Sequence, residues 1–235
     1  MIEFIKKIFR TAGIQIKRYP DYDLARRMRI MQHLSIDTLL DVGANVGQYG
    51  KHIRQLGYDQ KIVSFEPLQS AFEILQKVSS KYDKWVINNY ALGNSTGKSL
   101  INVSENSVSS SLLNMMTQHL ESSPTSKYVS QQEIEVKTLD SIFDTFCNSD
   151  SNVMLKIDTQ GFEKNVIDGS ESSLKSIKII QLEMSLVPLY ESEMLFIDMI
   201  KFLEIKGFIL FSLEPGYADP VTSQLLQVDG IFVRK

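Results

Sequence analysis

The chain has 235 residues, 43% hydrophobic and 23% charged, with 12 Gly and 6 Pro, a globular mixture that excludes a disordered, collagen-like or low-complexity protein. A net charge of −3 argues against a general nucleic-acid binder. The single Cys147 excludes an intrachain disulfide or a Cys-rich zinc site, and His33, His52 and His119 are too few for a histidine metal cage.

Residues 1–29 hold eight Lys/Arg against Glu3, Asp21 and Asp23, a net +5 that leaves −8 for the remainder. Ile5, Ile8, Phe9 and Ala12 recur at helical spacing, so the first dozen residues predict a basic amphipathic helix. Such a helix packs on its own domain or on a twin subunit, giving a homodimer. Otherwise it makes weak peripheral contact with a membrane surface through residues 1–18. No apolar run approaches the roughly 20 residues of a transmembrane segment. The opening stretch also lacks the unbroken apolar core of a signal peptide, and the expected setting is the reducing cytoplasm. Pro20 then disfavours helix at Tyr19.

Leu24, Met28, Met31 and Leu34 share one side of a second predicted helix. A short apolar strand, Thr38 to Gly43, leads into a helix from Tyr49 to Leu56 that stops at Gly57. Lys61 to Pro67 is a second strand, Ser70 to Val78 another helix, and Trp85 to Ile87 a third strand. This alternation indicates a parallel sheet with crossover helices. Residues 94–130 are rich in Ser, Asn and Thr and predict a strand at Leu100–Val103, then an exposed, mobile loop. Order returns with Ile134–Lys137 and a helix at Leu139–Phe146.

Val153 to Asp158 is the fourth strand of the main sheet, followed by a helix from Phe162 to Ile167. Lys178 to Glu183 is the fifth, and a helix from Met194 ends at Gly207. Phe208–Leu213 and Gly230–Val233 close the chain as an antiparallel pair. The expected organisation is an N-terminal helical segment, 1–37, before one α/β domain, 38–235, with an insertion at 94–130.

The sharpest local signal is Asp41-Val42-Gly43-Ala44-Asn45-Val46-Gly47-Gln48-Tyr49, at a strand end and a helix start. Glycine there lets the backbone approach a ligand, and the helix N-terminus offers free N–H groups. A dinucleotide loop needs a glycine against the pyrophosphate, where this chain has Asn45, which counts against NAD(P). Nineteen residues after Gly47 the second strand ends in Glu66-Pro67, a carboxylate placed to accept from two ribose hydroxyls. The expected ligand is a nucleoside without a diphosphate.

With these residues in view, the chain resembles the FkbM-type methyltransferases. The resemblance rests on Asp41-x-Gly43-x-Asn45-x-Gly47, Phe65-Glu66-Pro67, Ala91-Leu92-Gly93, Leu155-Lys156-Ile157-Asp158-Thr159-Gln160-Gly161-x-Glu163 and the closing Asp229 to Arg234. It implies a class I methyltransferase (Rossmann-like) fold: a mostly parallel seven-stranded sheet with an antiparallel last strand and helices on both faces. It also implies S-adenosylmethionine as cofactor and a hydroxyl of a glycan or small molecule as acceptor. Carried over by position, Asp41, Gly43, Asn45 and Gly47, with Gln48 and Tyr49, would line the methionine and ribose. Glu66 and Pro67 would hold the ribose, and Asn89, Tyr90, Ala91 and Leu92 would flank the adenine. Asp158 would sit beside the reactive methyl.

Methyl transfer from a sulfonium is an in-line displacement, so alignment supplies much of the rate. A hydroxyl acceptor also needs a base within hydrogen-bond reach. Asp158 is the first candidate, followed by Glu163 and Glu183, the last at the end of the fifth strand. These three are oxygen ligands of the kind Mg²⁺ takes, but no repeated acidic cluster requires a metal. Val187–Tyr190, Pro215–Tyr217 and the insertion are expected to frame the acceptor, with Tyr128, Tyr190 and Tyr217 available for stacking. His119 lies in the insertion, within reach of a substrate. Methylation of nucleic acid or protein is the alternative enzyme class. It is disfavoured by Asp158-Thr159-Gln160-Gly161 where base methyltransferases carry a proline-rich turn, and by the acidic body. A non-catalytic S-adenosylmethionine-binding protein of the same fold is the other alternative.

Overall fold

The computed structural model describes residues 2–14 and 19–235. Lys17 and Arg18 of the basic segment lie outside the described residues. The elements are α1 (Ile2–Thr11), α2 (Tyr22–His33), β1 (Thr38–Val42), α3 (Gln48–Gln55), β2 (Lys61–Phe65), α4 (Gln69–Ser79) and β3 (Trp85–Asn88). Then come β4 (Ala91–Leu92), β5 (Gly97–Ser104), α5 (Thr117–Ser122), β6 (Tyr128–Lys137), α6 (Leu139–Phe146), β7 (Val153–Ile157) and α7 (Glu163–Asp168). The chain closes with β8 (Ile177–Ser185), α8 (Phe196–Ile205), β9 (Phe208–Pro215) and β10 (Gln227–Arg234).

The main sheet has seven strands in the order β3-β2-β1-β7-β8-β10-β9. Neighbours are parallel from β3 to β8, and β10 runs antiparallel to both β8 and β9. Strand alternation sends successive side chains to opposite faces, and both faces are covered. Leu40, Val42, Leu155, Ile157 and Leu182 pack with Leu139, Phe143, Val166 and Leu203 from α6, α7 and α8. Leu39, Ile62, Met154 and Ile179 pack with Met31, Ile53 and Leu75 from α2, α3 and α4. β1 and β7 are therefore buried along their whole length, which is why they are mostly apolar, interrupted only by Thr38, Asp41 and Lys156.

One feature departs from the sequence expectation. The polar segment expected as an exposed loop is built into the fold. β5 and β6 pair as a long antiparallel hairpin and join β4 in a separate three-stranded sheet over Leu68 and Ala71. Between them, Ser109, Ser111, His119 and Ser126 are buried. Ser111 Oγ donates to the Gln160 carbonyl at 2.7 Å, and Met116 N donates to the Leu189 carbonyl at 2.8 Å. The serines that suggested an open loop instead satisfy one another and the neighbouring backbone, as in Ser109–Ser126 at 2.9 Å. For α1 the first of the expected placements does not hold, since its apolar side is not taken up by the domain: Phe4, Ile5, Ile8 and Phe9 are all exposed. Among the described residues no helix is long and apolar enough to cross a membrane.

Candidate active site

The parallel strands β1, β2, β7 and β8 end on one edge, where ligands bind in open α/β sheets, and a cavity of about 360 Å³ opens there. The β1 turn must bend sharply to admit it. Gly43 has φ +72°, and a side chain at this position would overlap the Asp158 carbonyl, so the β1 and β7 turns touch backbone to backbone. Asn45 is also left-handed, φ +47°, and steadies itself by accepting from Val46 N at 2.8 Å.

Glu66 stands at the end of β2 with its carboxylate already engaged. Asn45 N donates to one oxygen at 2.7 Å and Leu68 N to the other at 2.8 Å. Burial pushes its pKa up to about 7, and these two donors oppose the shift. Val42, Phe65, Leu68, Ala91, Leu92 and Ile101 close an apolar end of the cavity beside it.

Where β7 and β8 reach the cavity, two carboxylates share one amide. Gln160 Nε2 donates to Asp158 Oδ1 at 2.8 Å and to Glu183 Oε2 at 2.9 Å. Gln227 Nε2 adds a 2.7 Å bond to the same Glu183 oxygen. Burial, then the charges of Asp158, Asp229 and Glu163, hold the Glu183 pKa well above the usual carboxylate range. The Asp158 side chain keeps 42% of its exposure and stands 3.5 Å from Lys156 Nζ. His119, Tyr217, Ser123 and Ser126 continue this wall from the insertion and the β9–β10 connection. Burial lowers the His119 pKa to about 4, leaving a neutral imidazole, and among the described residues its buried Nδ1 and the Tyr217 hydroxyl have no hydrogen-bond partner.

The residues picked out by the sequence divide into two groups. Gly43, Asn45, Gln48, Glu66, Pro67, Ala91, Leu92, Asp158 and Glu183 line the cavity. Asp41 is fully buried below it, 3.2 Å from Lys156 Nζ and accepting from Ser64 Oγ. Gly47 opens α3 in a left-handed conformation with Leu75 against its backbone. Tyr49 is also beneath, its hydroxyl donating to Gln181 Oε1 at 2.7 Å. Asn89 ties the β3 end to the Glu66 and Pro67 carbonyls, and the Tyr90 ring lies under Lys137, 4.3 Å from its Nζ. Glu163 turns to the backbone: it accepts from Thr159 N at 2.9 Å, Thr159 Oγ1 at 3.1 Å and Gly161 N at 3.2 Å, bracing the turn after β7. Among the described residues no group of three His, Cys, Asp or Glu side chains is placed to hold a metal ion.

The sequence reading passed over Lys156, Gln160 and Gln227. Lys156 is buried against Asp41, Asp158, the Gly43 carbonyl and the Tyr49 ring. Burial opposes its charge, but Asp41 and Asp158 outweigh that and raise its pKa. A lysine in an otherwise apolar strand was the available signal. Of the three tyrosines expected to stack on an acceptor, only Tyr217 lines the cavity. Tyr190 is buried behind Gly161, and the Tyr128 hydroxyl is spent on the Leu113 carbonyl at 2.8 Å.

The donor set fits a nucleoside carrying a cationic group. A buried carboxylate, Glu66, lines the cavity beside apolar side chains, and two further carboxylates, Asp158 and Glu183, line it from the ends of β7 and β8. The family model of the methyltransferase FkbM domain matches residues 41–210. No curated protein matches in sequence. Among solved structures, an uncharacterized protein from Listeria monocytogenes serotype 4b superposes with a TM-score of 0.50 at 7% identity, covering 92% of this chain and 68% of that one. Magnesium protoporphyrin IX methyltransferase from Synechocystis PCC 6803, solved with bound SAH, gives 0.47 at 9% identity and covers both chains completely.

Proposed function

The chain belongs to the FkbM methyltransferase family and has the class I methyltransferase fold, and we propose that it methylates a hydroxyl of a glycan or other small polyol. S-adenosylmethionine is the cofactor, and when bound it supplies an electrophilic methyl group on a sulfonium. The observation that carries the proposal is a single cavity lined both by Glu66, at the end of β2, and by the Asp158–Gln160–Glu183 cluster, at the ends of β7 and β8 beyond β1 in the strand order.

In this reading Glu66 accepts from the ribose hydroxyls. The turn from Gly43 to Asn45 borders the amino-acid portion, and Leu68, Ala91, Leu92 and Ile101 enclose the base. The acceptor enters from the side of His119 and Tyr217, which line the cavity. Its attacking hydroxyl meets the carboxylate pair. Asp158, the more exposed member, orients it, and Glu183, kept basic by its buried acidic surroundings, takes the proton. Gln160 and Gln227 hold Glu183 in place, and Glu163 fixes the backbone of the turn that presents Asp158 and Gln160.

The test uses S-adenosylmethionine labelled in its methyl group and a series of glycosides and polyols, with Glu183→Gln alongside. Label in an alkali-stable methyl ether, lost in the variant, is the expected result. Label in a methyl ester, or on nitrogen of nucleic acid or protein, would overturn the hydroxyl assignment.

A further inference from the structure

We propose that α1 is an interfacial helix that docks the protein on an anionic membrane surface. At 100° per residue, Phe4, Ile5, Ile8 and Phe9 fall within one continuous arc of the helix. Phe4 is 69% exposed and Ile8 53%, so the domain does not cover this arc. The rest of the helix is basic, with Arg10 opposite the arc and Lys6 and Lys7 flanking it, and the only acid of the helix, Glu3, is 3.0 Å from Lys6 Nζ.

The placement of the lysines selects the occupant. Lys6 and Lys7 stand on the two borders of the apolar arc, where their aliphatic stems lie along an apolar layer while the ammonium groups reach up to phosphates. A bilayer with anionic headgroups satisfies both halves of this helix at once. Face-to-face packing of two copies about a two-fold axis would bring the bordering lysines of one helix towards those of the other. Charge complementarity therefore favours anionic lipid over a second copy. Lys17 and Arg18 add further positive charge along the sequence.

The full chain is sedimented with vesicles of phosphatidylcholine alone and of phosphatidylcholine mixed with phosphatidylglycerol, at low and high salt. Binding to the mixed vesicles is expected to exceed binding to phosphatidylcholine by at least about tenfold and to weaken with salt, because the attraction of surface charges is screened. Ile8→Glu with Phe9→Glu, both exposed and outside the core, should abolish binding and leave the unfolding temperature unchanged. Failure of the wild type to sediment with mixed vesicles would overturn the proposal, as would undiminished binding of the double variant. Self-association removed by the same variant, without vesicle binding, would assign the face to a second copy instead.

Discussion

The Tyr190 hydroxyl donates to Gln160 Oε1 across 2.8 Å, and this bond fixes which way the Gln160 amide faces. With its oxygen held, Gln160 turns Nε2 towards Asp158 and Glu183 and keeps the two acids together at the cavity wall. Gln160 itself is left-handed, φ +57°, so the turn presents this side chain at some conformational cost.

Tyr190→Phe keeps the ring over Gly161 and removes only the donor. It should cost about 1 kcal/mol of stability. Gln160→Leu should be coupled to it, so that the double variant loses less than the two single losses together. Urea unfolding of the four proteins measures the coupling, and strict additivity would show that the hydroxyl does not orient the amide.

Lys156 is the sole basic side chain within ion-pair distance of the fully buried Asp41 among the described residues. Lys156→Met strands that carboxylate and should destabilise the fold by about 3–5 kcal/mol, the usual cost of breaking a buried pair. Adding Asp41→Asn should recover part of the loss. Chemical denaturation of both variants tests this; no recovery would mean that Lys156 matters for its packing alone.

The parallel half of the fold was legible because its strands are short, largely buried and punctuated by Gly43, Gly57 and Gly161. The Asp41–Tyr49 turn and Glu66 were legible for the same reason: spacing fixes where strand ends fall. Of the β5–β6 hairpin only Leu100–Val103 and Ile134–Lys137 were legible. Tyr128 to Glu133 has no apolar alternation, and the Ser104–Ser126 stretch is ordered by hydroxyl contacts that no hydrophobic period reports. Roles within the site were also hidden. Glu163 and Glu183 are both acids near strand ends, yet one binds backbone N–H groups and the other faces the cavity, a difference set by side-chain direction.

Glu66 predicts a pH dependence of cofactor binding. Its pKa stands near 7 in the unliganded cavity, and ribose hydroxyls donate to the ionised form. Binding therefore favours the deprotonated carboxylate and releases a proton. Apparent affinity for S-adenosylmethionine should rise between about pH 6 and 8 and then level off, since the protein no longer has a proton to lose. Calorimetry in buffers of different ionisation enthalpy reads the released proton directly. Glu66→Gln should show no such release.

Glu183→Gln preserves the size and the contacts of the side chain while removing its basicity. Turnover should fall by about 10²–10⁴, the usual contribution of a general base. Asp158→Asn should lower turnover and also raise the acceptor KM, because Asp158 is assigned to orientation. Steady-state kinetics with the acceptor found in the glycoside series separates the two. A KM effect confined to Glu183→Gln would exchange their roles.

The division of the cavity into a cofactor end and an acceptor end is tested most directly by titrating S-adenosylmethionine into the wild type, Glu66→Gln and Glu183→Gln by calorimetry. Binding should weaken by roughly ten- to a hundredfold in Glu66→Gln, as the loss of hydrogen bonds to a charged group implies, and should stay within about twofold of wild type in Glu183→Gln. Equal affinity in Glu66→Gln and wild type, or a loss confined to Glu183→Gln, would contradict the division.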